Sequence, residues 1–139
     1  MGRRVGARCS GSGPGVILHL DTHVVVRLYV GDREWFPSRA LAALDHARLV
    51  YSPIVELEVQ YLYEIGRIIV GPDTILPYLT DRIGLGLDET PYVVVARTAR
   101  ALTWTRDPFD RLITGAAIAS NHPLLTRDRT IRDHYDAAF

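Results

Sequence analysis

The stretch TRDPFDRLITGAAIASNHPLLTRD, residues 105–128, sets the reading of the fold. Asp107 stands immediately before Pro108, and an Ala-rich run follows to Ser120. An acid at the N-cap and a proline at the first helical position are favoured because the first N–H groups of a helix lack intrahelical partners. A helix is therefore expected from Asp107 to Ser120. Pro123–Thr126 reads as a short strand, and 129–135 as a short final helix after Asp128. Helix, strand and helix in close succession are the unit of an α/β protein with a parallel sheet.

The rest of the chain repeats that alternation. Val16–Leu20 is a short apolar run ending at Asp21, and THVVVRLYVG after it reads as a helix closed by Gly31 and Asp32. A second helix is expected over 37–47 and a strand over Leu49–Tyr51. Ser52 and Pro53 then open a helix that runs to about Gly66, with Ile54, Leu57, Tyr61, Leu62, Ile65 and Ile68 at helical spacing. Further helices are expected over 73–82 and over TPYVVVARTARAL, residues 90–102, with Tyr92, Val95, Ala96, Ala99 and Leu102 on one face and a brief strand at 84–87 between the helices. The fold class expected is a three-layer α/β/α sandwich around a parallel sheet of about four or five strands. Sites in such sheets lie beyond the carboxyl ends of the strands. Asp21 and Asp128 fall there.

Composition narrows the function. The 139 residues suffice for one domain with a real core. Residues 16–139 are read as that domain, and the Gly- and Ser-rich residues 1–15 as a flexible tail without the apolar centre of a signal peptide. Sixteen basic residues balance sixteen acidic ones, so no global charge draws in nucleic acid or an anionic membrane. Every basic side chain is arginine, which favours planar, bidentate contacts to phosphate and carboxylate. The single Cys9 excludes an internal disulfide, and no apolar window is long enough to span a bilayer. A cytoplasmic protein is expected.

Each acid has an ordinary structural explanation. Asp107 is a cap, Asp110 is the third residue of a variant capping box, and Asp21 and Asp128 each precede a helix. The helix after Pro53 resists that reading. At 100° per residue from Ile54, Glu58 falls near about 40°, between Ile65 at about 20° and Ile69 at about 60°, while Glu56 falls near about 200°. Glu58 is thus a carboxylate within an apolar stripe. It needs a proton, an arginine or a metal to be tolerated there.

At this point the chain resembles a family. HLDTHVVVRL, SPIVELEVQYLYEIGRI, WTRDPFDRLITGAA and PLLTRD, in that order across residues 16–139, resemble the PIN-domain ribonucleases and most closely the VapC-type toxins of toxin–antitoxin pairs. The resemblance implies an acidic set of Asp21, Glu58, Asp110 and Asp128, supported by Thr126 and with Asp107 as a neighbour. It further implies Mg²⁺ or Mn²⁺ as cofactor, RNA as substrate, an antitoxin protein as partner, and a homodimer with the helix near 53–69 as its interface. The alternative is a non-catalytic PIN-like module that binds RNA or protein.

Other constellations fit poorly. Aspartyl-phosphate chemistry of the haloacid-dehalogenase kind needs a second Asp two residues after Asp21, where His23 stands. GSGPGV imitates a dinucleotide fingerprint, but it precedes the strand and has Val16 in the place of the third glycine. There is no P-loop, and the five histidines have no zinc spacing. Arg106, Arg111, Arg127 and Arg129 flank the acids and suit local phosphate binding.

Overall fold

Strand β1 (Ile17–Leu20) lies at the centre of a four-stranded sheet in a computed structural model that describes residues 15–139. The expected tail over 1–15 lies outside the described residues except for Gly15. The sheet order is β3-β2-β1-β4, with β2 at Arg48–Tyr51, β3 at Gly86–Leu87 and β4 at Leu124–Leu125. Every pairing is parallel, and the register sets His19 opposite Val50 on one side and Leu124 on the other. The C-terminal segment adds to the β4 edge: Thr126 N–H donates to the Phe139 carbonyl at 2.9 Å, and Phe139 N–H donates to the Leu124 carbonyl at 3.0 Å.

From β1 the chain passes through α1 (Thr22–Val30), a 3₁₀ turn (Arg33–Trp35) and α2 (Ser38–His46) to β2. It then takes α3 (Pro53–Glu64) and α4 (Pro72–Ile83) to β3, and α5 (Tyr92–Ala99) and α6 (Pro108–Ser120) to β4, before closing with α7 (Arg129–His134). The first two crossovers step the same way across the sheet and the third steps back. Right-handed crossovers of that order carry α1–α4 over one face and α5 and α6 over the other. This is the expected α/β/α architecture.

The core follows the pleat. Leu18 and Leu20 are buried on one side of β1, and Val24, Val25, Val55, Ile75 and Leu79 are buried with them. Gly115 has a packing role in α6. A Cβ there would lie 3.2 Å from the Ala99 Cβ and from the Val95 carbonyl, so the missing side chain lets α5 and α6 approach closely.

Two helical faces differ from expectation. In α3 the buried residues are Val55, Val59 and Leu62, while Leu57 and Tyr61 are exposed. Helix α3 ends at Glu64, leaving Ile65 half exposed and Ile69 93% exposed. This helix is apolar on nearly every side, so periodicity alone could not select the face the core would take. In α5, Val95 and Ala99 are buried as expected, but Tyr92 is 70% exposed.

Candidate functional site

The sheet reverses its winding direction between β1 and β4, and the carboxyl ends of those two strands are where a crevice forms in an open α/β sheet. One hydrogen bond closes that gap. Asp21, directly after β1 and only 5% exposed, accepts from the Thr126 hydroxyl at 2.5 Å through Oδ2. Its Oδ1 accepts from Thr22 N–H at 2.8 Å as the N-cap of α1. Thr126 Oγ1 also accepts from Asp128 N–H at 3.0 Å, and Asp128 Oδ1 accepts from Ile131 N–H at 3.0 Å to cap α7. Asp21 and Asp128 are therefore caps, as the ordinary explanation has it, and they are also neighbours at the switch point.

Glu58 arrives from α3. It shares a face with Val55 and Leu62, three residues before it and four after, so it borders the buried stripe. Among the described residues no arginine pairs with it, which removes one of the three ways its charge could be tolerated. Instead the buried Thr22 hydroxyl donates to Glu58 Oε1 at 2.6 Å. Thr22 thus joins two of the acids, with its N–H on Asp21 and its hydroxyl on Glu58. The sequence reading missed this residue. Its signal was a hydroxyl at the first helical position after Asp21, where the side chain lies beside the strand ends. Glu56 is exposed and lines a different pocket with Tyr51, Asp73 and Asp81.

Asp107 and Asp110 separate cleanly. Asp107 Oδ1 accepts from Phe109 N–H at 2.9 Å and from Asp110 N–H at 3.4 Å, so it caps α6. A full capping box would return a bond from Asp107 N–H to the Asp110 carboxylate. That N–H goes to Thr105 Oγ1 at 3.2 Å instead. Asp110 has no capping duty.

The electrostatics draw the acids together. Burial, reinforced by the charges of Asp107, Asp21, Asp128 and Glu58, pushes Asp110 from an ordinary 3.8 up to about 7. Burial also raises Glu58, against the Thr22 hydrogen bond and with help from the Asp21 charge. Burial raises Asp21 despite its bonds from Thr126 and Thr22. Among the described residues the ion pairs are His19–Asp88 and Arg27–Asp32, so none of Asp21, Glu58, Asp110 and Asp128 has a cationic side chain within 4.0 Å. Arg106 and Arg111 brace the preceding loop instead, donating to the carbonyls of Thr103 and Thr105 at 2.9 Å each.

Four carboxylates that, among the described residues, pair with no arginine are a donor set of the kind that hard divalent ions take, all oxygen and partly buried. Among the described residues no three acidic, histidine or cysteine side chains stand close enough together to ligate one ion. Both Asp21 oxygens and one Asp128 oxygen hold protein donors. Like charges resist closer approach.

A second polar cluster lies behind the site. His19, 1% exposed, has Nε2 3.1 Å from Ser120 Oγ and 3.3 Å from His122 Nδ1. Burial holds its imidazole down at about 4, against the pull of Asp88. A histidine within ILHL was legible as strand, but its partners, drawn from the ends of α6 and β3, were not.

Comparison with known proteins agrees with this fold. The PIN domain family model matches residues 18–137. Among solved structures, a VapBC2 complex from Rickettsia felis bound to a promoter DNA fragment contains a similar chain, at a TM-score of 0.63 and 17% identity, covering 89% of this chain and 96% of that one. A DNA-bound VapBC from Salmonella typhimurium is similar at a TM-score of 0.56 and 18% identity, covering 84% and 91%. At such identities the likeness shows the fold. No curated protein matches the sequence.

Proposed function

The chain belongs to the PIN-domain family, and we propose that it is a metal-dependent endoribonuclease acting as the toxin of a toxin–antitoxin pair. The observation that carries this reading is the set of Asp21, Glu58, Asp110 and Asp128 at the switch point, partly buried and, among the described residues, without an ion pair within 4.0 Å. These residues would hold one or two Mg²⁺ or Mn²⁺ ions. An ion bound there supplies a water of lowered pKa and Lewis-acid stabilisation of charge on a phosphodiester.

The chain's own residues supply orientation. Thr126 and the Thr22 N–H fix both Asp21 oxygens, the Thr22 hydroxyl fixes Glu58, and the α7 cap fixes Asp128. Such outer hydrogen bonds hold ligating oxygens in place and reduce the reorganisation needed for binding. Thr126 is a supporting residue and Asp107 a capping neighbour. No side-chain nucleophile is required, and the products should carry 5′-phosphate and 3′-hydroxyl ends.

The test is cleavage of single-stranded RNA across a Mg²⁺ or Mn²⁺ titration. Cleavage that follows metal and stops with chelator supports the enzyme. Metal-independent binding without cleavage would favour the alternative, a non-catalytic PIN-like module for RNA or protein.

Two partners belong to the same reading. An antitoxin could place an arginine among the four carboxylates, where bidentate contacts would offset their repulsion. The similar VapBC chains come from complexes with DNA, which suits a cytoplasmic toxin with a DNA-binding partner. No helix among the described residues is long and apolar enough to cross a membrane. A homodimer would use the exposed apolar residues Leu57 and Tyr61 of α3 with Ile65 just beyond its end. Light scattering at micromolar concentration should give twice the monomer mass, and Tyr61→Glu should return it to one.

A further inference from the structure

The acidic site carries its own electrostatic difficulty. Four carboxylates repel a phosphate backbone, and a chain with no net charge offers no general attraction to compensate. Arginine near the acids would offset this, and Arg106, Arg111 and Arg127 each give one N–H to a backbone carbonyl. Of the arginines beside the acids, Arg127 shares the Trp35 ring with a second cation, Arg27.

Arg127 sits between Thr126 and Asp128. Its guanidinium lies 4.7 Å from the centre of the Trp35 ring and donates to the Trp35 carbonyl at 2.5 Å. Arg27, near the end of α1, places its guanidinium 5.3 Å from the same ring centre. Two cations held about one ring are therefore at most about 10 Å apart. Arg39 of α2 lies 4.5 Å from the ring centre of Phe139, whose carbonyl accepts the Thr126 N–H. Arg27 and Arg127 thus share one ring, and Arg39 lies over the ring of a residue whose backbone pairs with Thr126.

Stacking on a ring fixes the guanidinium plane and leaves edge N–H groups free for a bidentate anion. Arg27 forms an ion pair with Asp32 through one guanidinium N–H at 3.4 Å, and among the described residues Arg39 and Arg127 have no acidic side chain within 4.0 Å.

We propose that Arg27, Arg127 and Arg39, held on Trp35 and Phe139, form the phosphate-binding track that guides a single RNA strand to the acidic site. This rests on the ribonuclease reading and names the surface that takes the substrate backbone. Backbone contacts position a strand without reading its sequence. The track therefore predicts a salt-dependent affinity that is alike for different sequences and weakens as the arginines are removed.

The experiment measures KM and kcat for cleavage of a labelled single-stranded RNA in Mn²⁺, across a salt series. It compares wild type, Arg27→Gln, Arg39→Gln, Arg27→Gln/Arg39→Gln and Arg82→Gln. Arg82 is the control, because its guanidinium lies over the Tyr78 ring of α4 and not over Trp35 or Phe139. Arg27 and Arg39 are outside the Thr126–Asp128 segment, so their replacement leaves the acids untouched. The double variant should raise KM about 10-fold with little change in kcat, and the salt slope should fall by about 0.7 for each phosphate no longer neutralised. Arg82→Gln should match wild type. Unchanged KM and salt slope in the double variant, with wild type cleaving, would overturn the track and spare the enzyme. A drop in thermal stability without a rise in KM would make the arginines structural and would also overturn it. Failure of wild type to cleave or bind RNA would overturn both readings.

Discussion

Asp110→Asn should abolish RNA cleavage and leave the metal-free protein at least as stable as the parent. The side chain keeps its size, and no capping bond is lost, because Asp107 caps α6 and its N–H goes to Thr105. What disappears is a charge that four neighbouring carboxylates oppose. The sign of the pH effect follows from that. Asp110 titrates at about 7 in the folded chain against 3.8 ordinarily, so the folded state binds the extra proton between those values. Stability is then greatest while Asp110 is protonated, and falls as pH rises toward about 7. His19 works in the opposite sense, since its pKa is lowered from 6.5 to about 4 and falling pH costs stability across that range. The two contributions oppose each other below 6.5, leaving the carboxylates to dominate above it. Thermal melts without metal should therefore show wild type losing stability from about pH 6.5 to about 8, with a smaller loss in Asp110→Asn. Mn²⁺ should raise the wild-type melting temperature and do so far less in the variant.

The neighbouring acid supplies the contrast. Asp107→Asn keeps a good cap and should leave both stability and cleavage nearly intact, whereas Asp107→Ala should lose about 0.5–2 kcal/mol of stability. Wild-type cleavage by Asp110→Asn would remove Asp110 from the site and with it the metal-site reading.

How much of this was legible depends on the range of the interaction. The caps at Asp21, Asp107 and Asp128 were readable because capping acts within three residues. The strand and helix order was readable for the same reason, and it placed Asp21 and Asp128 at the strand ends. The family resemblance added what no local pattern contains, that Asp110 belongs with acids from other elements. Contacts between distant segments were not legible. Thr22 to Glu58 spans 36 residues and His19 to Ser120 spans 101. The buried face of α3 was mistaken because Leu57 and Tyr61 fit a helical stripe as well as Val55 and Val59 do. Glu58 remains beside the core, although Ile65 and Ile69, which suggested it, lie past the helix end and are exposed.

That correction makes Glu58 the place for the second decisive test. Glu58→Gln should lower cleavage on the order of 100-fold or more, since changes to groups that merely orient a ligand already cost about 10–100-fold. The fold should survive, because a Gln carbonyl oxygen can still accept from the Thr22 hydroxyl that now reaches Oε1 at 2.6 Å. Mn²⁺ affinity, read by calorimetry without RNA, should fall in the same variant, which separates a missing metal ligand from a weakened hold on the substrate. Glu56→Gln should leave both quantities within about twofold, because Glu56 is exposed and faces the pocket of Tyr51, Asp73 and Asp81. Thr22→Val should fall between them. It preserves shape but frees the Glu58 carboxylate to rotate, so Mn²⁺ affinity should drop about 10-fold while the Asp21 bond from the residue 22 N–H persists. An inactive Glu56→Gln beside an active Glu58→Gln would reverse the assignment on α3. Unchanged Mn²⁺ affinity in Thr22→Val would show that Glu58 is positioned by something other than that hydroxyl.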